Sequence, residues 1–145
     1  MIDDYRKEAA DRLKEGLPPL PLTAKQTAEL ITLLKSPHIK DTEALMALFC
    51  HRIPSGVDQA AYIKAAYLTD IAKGIEKSSI ISPKYAIELL GTMVGGYNVQ
   101  SLISLLDSDL ADEVVKVLSH IILIFDAFHD VIEKVKSENN AAKHI

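Results

Sequence analysis

Between Gly91 and Gly96, three glycines fall within six residues of a chain that otherwise reads as helix. A glycine costs about 1 kcal/mol against alanine in a helix interior, and its freedom at positive φ suits tight turns. The run Gly91-Thr92-Met93-Val94-Gly95-Gly96-Tyr97-Asn98 therefore predicts one helix ending at Gly91, a tight crossing, and a new helix capped by Asn98. Any fold for this chain must let backbones approach closely there.

The rest of the chain supplies the helices. Tyr5, Ala9 and Leu13 recur every four residues in an Ala-, Glu-, Lys- and Arg-rich stretch from Ile2 to Glu15, and Gly16 stops it. Leu17-Pro18-Pro19-Leu20-Pro21 then has to be an extended connector, because each proline lacks a donor and restrains its predecessor. Thr23 with Gln26 reads as a capping box for a second helix with Ala24, Thr27, Ala28, Ile31 and Leu34 on one face, ending at Pro37. A third helix starts at Asp41 or Thr42 and turns Leu45, Leu48 and Phe49 inward before Pro54-Ser55-Gly56.

Asp58 caps a fourth helix, whose Ala61, Ala65, Leu68 and Ala72 form a small-residue face, with Gly74 as its stop. Ser82-Pro83 opens a fifth, which buries Ile87 and Leu90. The sixth is short and carries Leu102, Leu105 and Leu106. A seventh is expected from about Asp109 to Ser137, with Val114, Leu118, Ile121, Phe125, Phe128, Ile132 and Val135 inward and a section around Ile121 to Phe125 that is apolar on every side.

No stretch alternates with period two long enough to make a strand. The expectation is an all-α fold of about seven helices, with antiparallel pairs stacked in HEAT-like fashion into an α-α superhelix; an ordinary globular bundle is the alternative. Residues 1–137 form one helical domain on this reading. Residues 138–145, lacking a cap or a packed end, read as a linker toward further domains.

Charge and cysteine content narrow the function classes. A formal charge of −4 opposes a general grip on nucleic acid, which needs clustered cations; a basic stripe of Arg6, Lys7, Arg12 and Lys14 is what RNA binding would require. The single cysteine, Cys50, cannot form an internal disulfide, and its place beside Phe49 reads as a small buried hydrophobe. With no signal-peptide pattern at Met1-Ile2-Asp3-Asp4 and no apolar run of membrane-spanning length, a cytoplasmic protein without a membrane contact is expected.

Candidate chemistry is sparse. Asp126, His129 and Asp130 share a helical face at i, i+3 and i+4, a set that would suit zinc, but His120 stands about 120° around the same expected helix and joins them poorly. Surface pairing is the competing reading, and no metal site is assigned. His38, His51 and His144 are isolated. Phosphate-loop, nucleophile-elbow and Cys-x-x-Cys patterns are absent, so no catalytic or cofactor-binding residue is assigned. The residues that suit a partner surface are Arg52, Tyr62, Gly91, Gly95, Gly96, Tyr97 and Asn98; Lys64 reads as a solvated charge.

Two blocks carry a resemblance. Arg52-Ile53-Pro54-Ser55-Gly56-Val57-Asp58-Gln59-Ala60-Ala61-Tyr62-Ile63-Lys64-Ala65 and Ala86-Ile87-Glu88-Leu89-Leu90-Gly91-Thr92-Met93 through Asn98 resemble the amino-terminal helical domain of the bacterial aconitate hydratase B and 2-methylisocitrate dehydratase family. Tyr5-Arg6-Lys7, Leu118-Ser119-His120, Phe125-Asp126 and Asp130 follow the same pattern, while Ser36 to Thr42 diverges. The family usually has a tyrosine at the position of His129, which weakens the metal reading further.

The resemblance implies a HEAT-like accessory and interaction domain. It would pack on downstream catalytic domains, help to form the substrate route and serve self-association, possible homodimers included. The parent enzyme, a lyase of the citric acid cycle, would interconvert citrate and isocitrate through cis-aconitate with a four-iron four-sulfur cluster. Such a cluster needs three cysteine thiolates, so this chain with one cysteine is not expected to be an enzyme alone. Two other readings stay open: a free-standing helical adaptor for a protein or RNA partner, and a small metal-dependent hydrolase.

Overall fold

The computed structural model describes residues 2–36, 41–123 and 126–145. Eight α-helices and two short 3-10 turns account for the regular structure among these residues, and no strand occurs among them. The fold is all-helical, as the periodicity predicts.

Contacts divide the chain into two compact units, one of residues 1–54 with 58–64 and one of residues 55–57 with 65–145. In the first, α1 (Ile2–Lys14) is followed by the proline connector, which it fastens with its own side chains: Tyr5 Oη donates to the Leu20 carbonyl at 2.9 Å and Arg12 Nε to the Pro18 carbonyl at 2.9 Å. Tyr5 is buried, whereas Leu13 is 61% exposed and does not join the expected stripe. The helix ends at Gly16, whose φ of 74° lets the Leu17 and Gly16 N–H groups reach back to the Arg12 and Leu13 carbonyls.

The Thr23–Gln26 capping box starts α2 (Ala24–Leu34), which packs on α3 (Thr42–His51). Thr27, Leu30, Ile31 and Leu34 are buried; Ala28 faces solvent, so the inner face runs through Leu30 instead. Pro37 and His38 lie outside the described residues. In α3, Leu45 and Phe49 are buried, and Cys50 is only half-buried, which corrects the expectation of a buried thiol.

The helix α4 (Gln59–Ala72) gives its first six residues to the first unit and the remainder to the second. Asp58 Oδ1 accepts from the Ala60 N–H at 2.7 Å and so caps it. Its small-residue face is buried as expected, with Ala61, Ala65, Leu68 and Ala72 all at 7% exposure or less. Gly74, at φ 72°, ends it: the Ile75 N–H bonds the Asp70 carbonyl and the Gly74 N–H the Ile71 carbonyl.

In the second unit α5 (Pro83–Gly91), capped by Ser82 with Pro83 in its first turn, packs on α6 (Gly96–Ser104) and on α7 (Ala111–Leu118). The last helix, α8 (Asp126–Lys136), packs on α6. Ile87, Leu90, Leu102, Leu105, Leu106, Val114 and Leu118 form the core here. The contact pattern of successive helices is consistent with pairs stacked in series.

The single long helix expected from Asp109 to Ser137 does not form. α7 stops at Leu118, where Ser119 Oγ donates back to the Val115 carbonyl at 2.6 Å and His120 Nδ1 bonds the Lys116 carbonyl at 2.7 Å. Such side-chain bonds compete with helix continuation. Among the described residues of the apolar section, Ile122 is 86% exposed and Ile121 and Leu123 are half-buried; on α8, Phe128 is 52% exposed and Val131 is buried. Phe125 lies outside the described residues.

The tail also differs from expectation. Asn139 Nδ2 donates to the Leu106 carbonyl at 3.0 Å and to Asp107 Oδ1 at 2.7 Å, while its Oδ1 accepts from the Ala142 N–H at 2.8 Å. A 3-10 turn, Ala141–His144, follows and buries Ala142. The end of the chain is thus pinned against the turn after α6, although its polar sequence hides this.

Candidate interaction site

The glycine run is shaped by two close approaches, both inside the second unit. Gly91 closes α5 where a Cβ would lie 2.5 Å from Val117 Cγ1 of α7, so that side chain would have to move for any larger residue. Gly95 has φ 100° and ψ −177°, a conformation side chains rarely adopt, and a Cβ there would stand 2.7 Å from the Gly56 Cα. The Gly56 N–H donates to the Val94 carbonyl at 2.6 Å, and Tyr97 Oη to the Val57 carbonyl at 3.4 Å. Gly96, by contrast, would meet nothing within 4 Å.

Asn98 is not the cap of α6. The helix begins at Gly96, with Gly95 in the capping position and no side chain capping it. Asn98 turns back instead: its Nδ2 donates to the Leu90 carbonyl at 2.9 Å and to the Met93 carbonyl at 2.9 Å. The Leu90 carbonyl at the end of α5 also takes a turn bond from the Met93 N–H at 3.2 Å, and the amide adds a donor to it and one to the Met93 carbonyl beyond the helix. Asn98 is 1% exposed, which makes it a brace inside the turn and keeps it off any contact surface.

The sequence-derived candidates thus separate. Gly91, Gly95, Gly96, Tyr97 and Asn98 belong to the turn, and Arg52 and Tyr62 to the other unit. The carbonyl of Arg52 accepts from the Leu22 N–H at 2.7 Å, and Tyr62 is 50% exposed on α4. Gly56 and Val57 were missed. The signal was a second glycine turn, Pro54-Ser55-Gly56, whose backbone had no stated partner; the glycine run is that partner.

Lys64 is buried at 5% exposure, not solvated as expected, with its ammonium 5.1 Å from the Phe49 ring centre. Burial pushes its pKa below the ordinary lysine value, and the neighbouring Cys50 opposes this only in part.

The metal reading finds no geometry. His120 follows α7 and is not on α8, Asp130 accepts from Gln100 Nε2 at 2.9 Å, and His129 packs edge-on against Phe128 with ring centres 6.0 Å apart. Among the described residues no three His, Cys, Asp or Glu side chains come together as metal ligands would. In the basic stripe of α1, Arg6 pairs with Asp3 and Asp41, Lys14 with Asp11, and Arg12 holds the connector. No described helix is long and apolar enough to cross a membrane.

The profile of the Aconitate B N-terminal domain matches residues 4–145. The chain belongs to that family. It is 51% identical over its whole length to aconitate hydratase B of Escherichia coli (strain K12), 51% to that of Synechocystis sp., and, over 99% of its length, 39% to that of Helicobacter pylori (strain J99). It spans 17% of the length of each of these family members. The match covers both glycine turns, at Gly56 and Gly95, whose backbones lie against one another.

Proposed function

We propose that this chain is the accessory, protein-interaction domain of an aconitate hydratase B. It packs on the catalytic domains of its parent, helps to form the substrate route and mediates self-association, with residues 138–145 leading toward the downstream domains. The observation that carries this is the family match over residues 4–145 combined with a chain that covers only 17% of its relatives. The parent interconverts citrate and isocitrate with an iron-sulfur cluster supplied elsewhere, because one half-buried cysteine cannot provide three thiolates. Helix pairs stacked in HEAT-like fashion, in a cytoplasmic protein, complete the reading.

The glycine turn is the rigid part of the contact surface. Gly91, Gly95 and Asn98 hold its shape, Val94 is 71% exposed at its tip, and Gly96 and Tyr97 flank it. Arg52 and Tyr62 offer a second contact area of the residue types favoured at interfaces.

Deleting residues 1–145 from the parent and measuring kcat, KM and sedimentation tests this. A raised KM with kcat kept supports a role in the substrate route, and an altered assembly state supports self-association. Unchanged kinetics together with unchanged assembly would refute the proposal.

A further inference from the structure

Leu17-Pro18-Pro19-Leu20-Pro21, the connector of the first unit, is fixed in shape by its own residues. Each proline sets its φ near about −65°, and Leu17, Pro18 and Leu20 each precede a proline and are held extended. Residues 17–23 accordingly carry neither helix nor strand. A segment of this kind is a polyproline II helix, with three residues per turn and no internal hydrogen bonds.

Burial follows that three-residue period. Pro19 is half-buried and Leu22, three positions on, is 1% exposed, so these two make the inward edge. Leu17 and Leu20, 43% and 46% exposed, make a second edge, and the exposed Pro18 and Pro21 make the third. Two Leu-Pro pairs thus stand in solvent one turn apart. The bonds from Tyr5 Oη to the Leu20 carbonyl and from Arg12 Nε to the Pro18 carbonyl tie the segment to α1, and the Leu22 N–H ties its far end to the Arg52 carbonyl. A ridge held in place before contact gives up little conformational entropy on binding.

Polyproline II ridges are read by grooves lined with aromatic side chains. This chain has no tryptophan, and the cavity of about 600 Å³ beside its glycine turn has no Phe, Tyr or Trp in its wall, so a second copy is a poor source of such a groove. Five residues are also few beside the roughly 20–30 a side of a stable interface, which favours a reversible contact with a separate protein. At the amino-terminal end of the ridge stands Glu15, exposed and outside the ion pair of its neighbours Asp11 and Lys14. Its charge calls for a cation on the groove's rim.

We propose that residues 17–21 dock into the aromatic groove of a separate protein module that recognises polyproline II and carries a basic residue facing Glu15. The site lies in the first unit and uses none of the glycine turn, so it goes beyond the docking role proposed above.

The probe is an SH3 domain, whose groove is of this class, prepared with an acidic rim and with a lysine rim. Because the 145-residue chain lacks tryptophan, fluorescence of the groove tryptophan reports binding without background. Saturable binding is expected, tighter for the lysine rim by about threefold or more, with the preference reversed for Glu15→Arg. Leu17→Ala combined with Leu20→Ala, at exposed positions that leave folding intact, should weaken binding about tenfold or more. The whole parent hydratase should compete with the chain for the domain. No saturable signal with either rim, unchanged affinity of the doubly substituted chain, a rim preference unmoved by Glu15→Arg, or a parent that fails to compete would each overturn the proposal. None of these results bears on the docking role, which is read from parent kinetics and assembly.

Discussion

Gly91 and Gly95 both resist a larger residue, for different reasons. At Gly91 the backbone conformation is ordinary and the obstacle is a side chain, Val117 Cγ1, 2.5 Å from an added Cβ. Gly91→Ala should therefore cost about 1–3 kcal/mol, in the range of overpacked cores, and a second change, Val117→Ala, should recover part of it. Urea unfolding of the single and double variants measures this; losses that simply add would show that the two residues do not touch. At Gly95 the obstacle is the Gly56 backbone, and φ is positive as well, so no neighbouring truncation can rescue it.

Lys64 carries the clearest pH signature. Its pKa is lowered by burial in the folded state, so between that lowered value and the unfolded value the unfolded chain binds more protons. Stability should rise with pH across that window and level off above the ordinary lysine value. Lys64→Met keeps the packing on Phe49 and removes the titration, so its stability should lack this rise. Denaturant unfolding of both proteins at a series of alkaline pH values is the check, and parallel curves would mean that the ammonium stays hydrated.

At the scale of elements, the break between α7 and α8 reassigns which apolar residues count. Leu118→Ala should cost about 2–5 kcal/mol, as for a fully buried leucine, whereas Ile122→Ser should change stability by less than about 0.5 kcal/mol. Thermal unfolding separates these; a large loss at Ile122 would restore the uninterrupted helix. The end of α8 offers a gain. Glu138 has φ 66° in a turn where the Asn139 and Glu138 N–H groups bond the Lys134 and Val135 carbonyls, a place natural to glycine. Glu138→Gly should stabilise by about 1 kcal/mol, and an unchanged or lowered midpoint would count against that turn.

The sequence made the local signals readable and the long-range ones not. The Thr23–Gln26 box, the Ser82 cap and the stops at Gly16 and Gly74 depend on neighbours within a few residues, and all of them stand. Asn98 was misread because its partners belong to the preceding helix, not to its own first turn. The α7–α8 break was missed because a run of Ile and Leu continues a helical period whether or not the backbone does. Lys64 reads as solvated by its type alone, whereas it is buried beside Phe49 of α3, a contact between two helices that its own neighbours in sequence do not announce.

For the molecule as a whole, the chain carries a formal charge of −4, and Arg6, Arg12 and Lys14 of α1 are engaged with nearby groups. It offers a double glycine turn with exposed Val94 and Val57, and an exposed Ile122 in the same unit. Apolar side chains so exposed suit coverage by another surface. The most direct measurement is sedimentation of this 145-residue chain mixed with the separately produced remainder of its parent hydratase. The account predicts a one-to-one complex that is weakened by Val94→Glu, and free sedimentation of the two parts would contradict it.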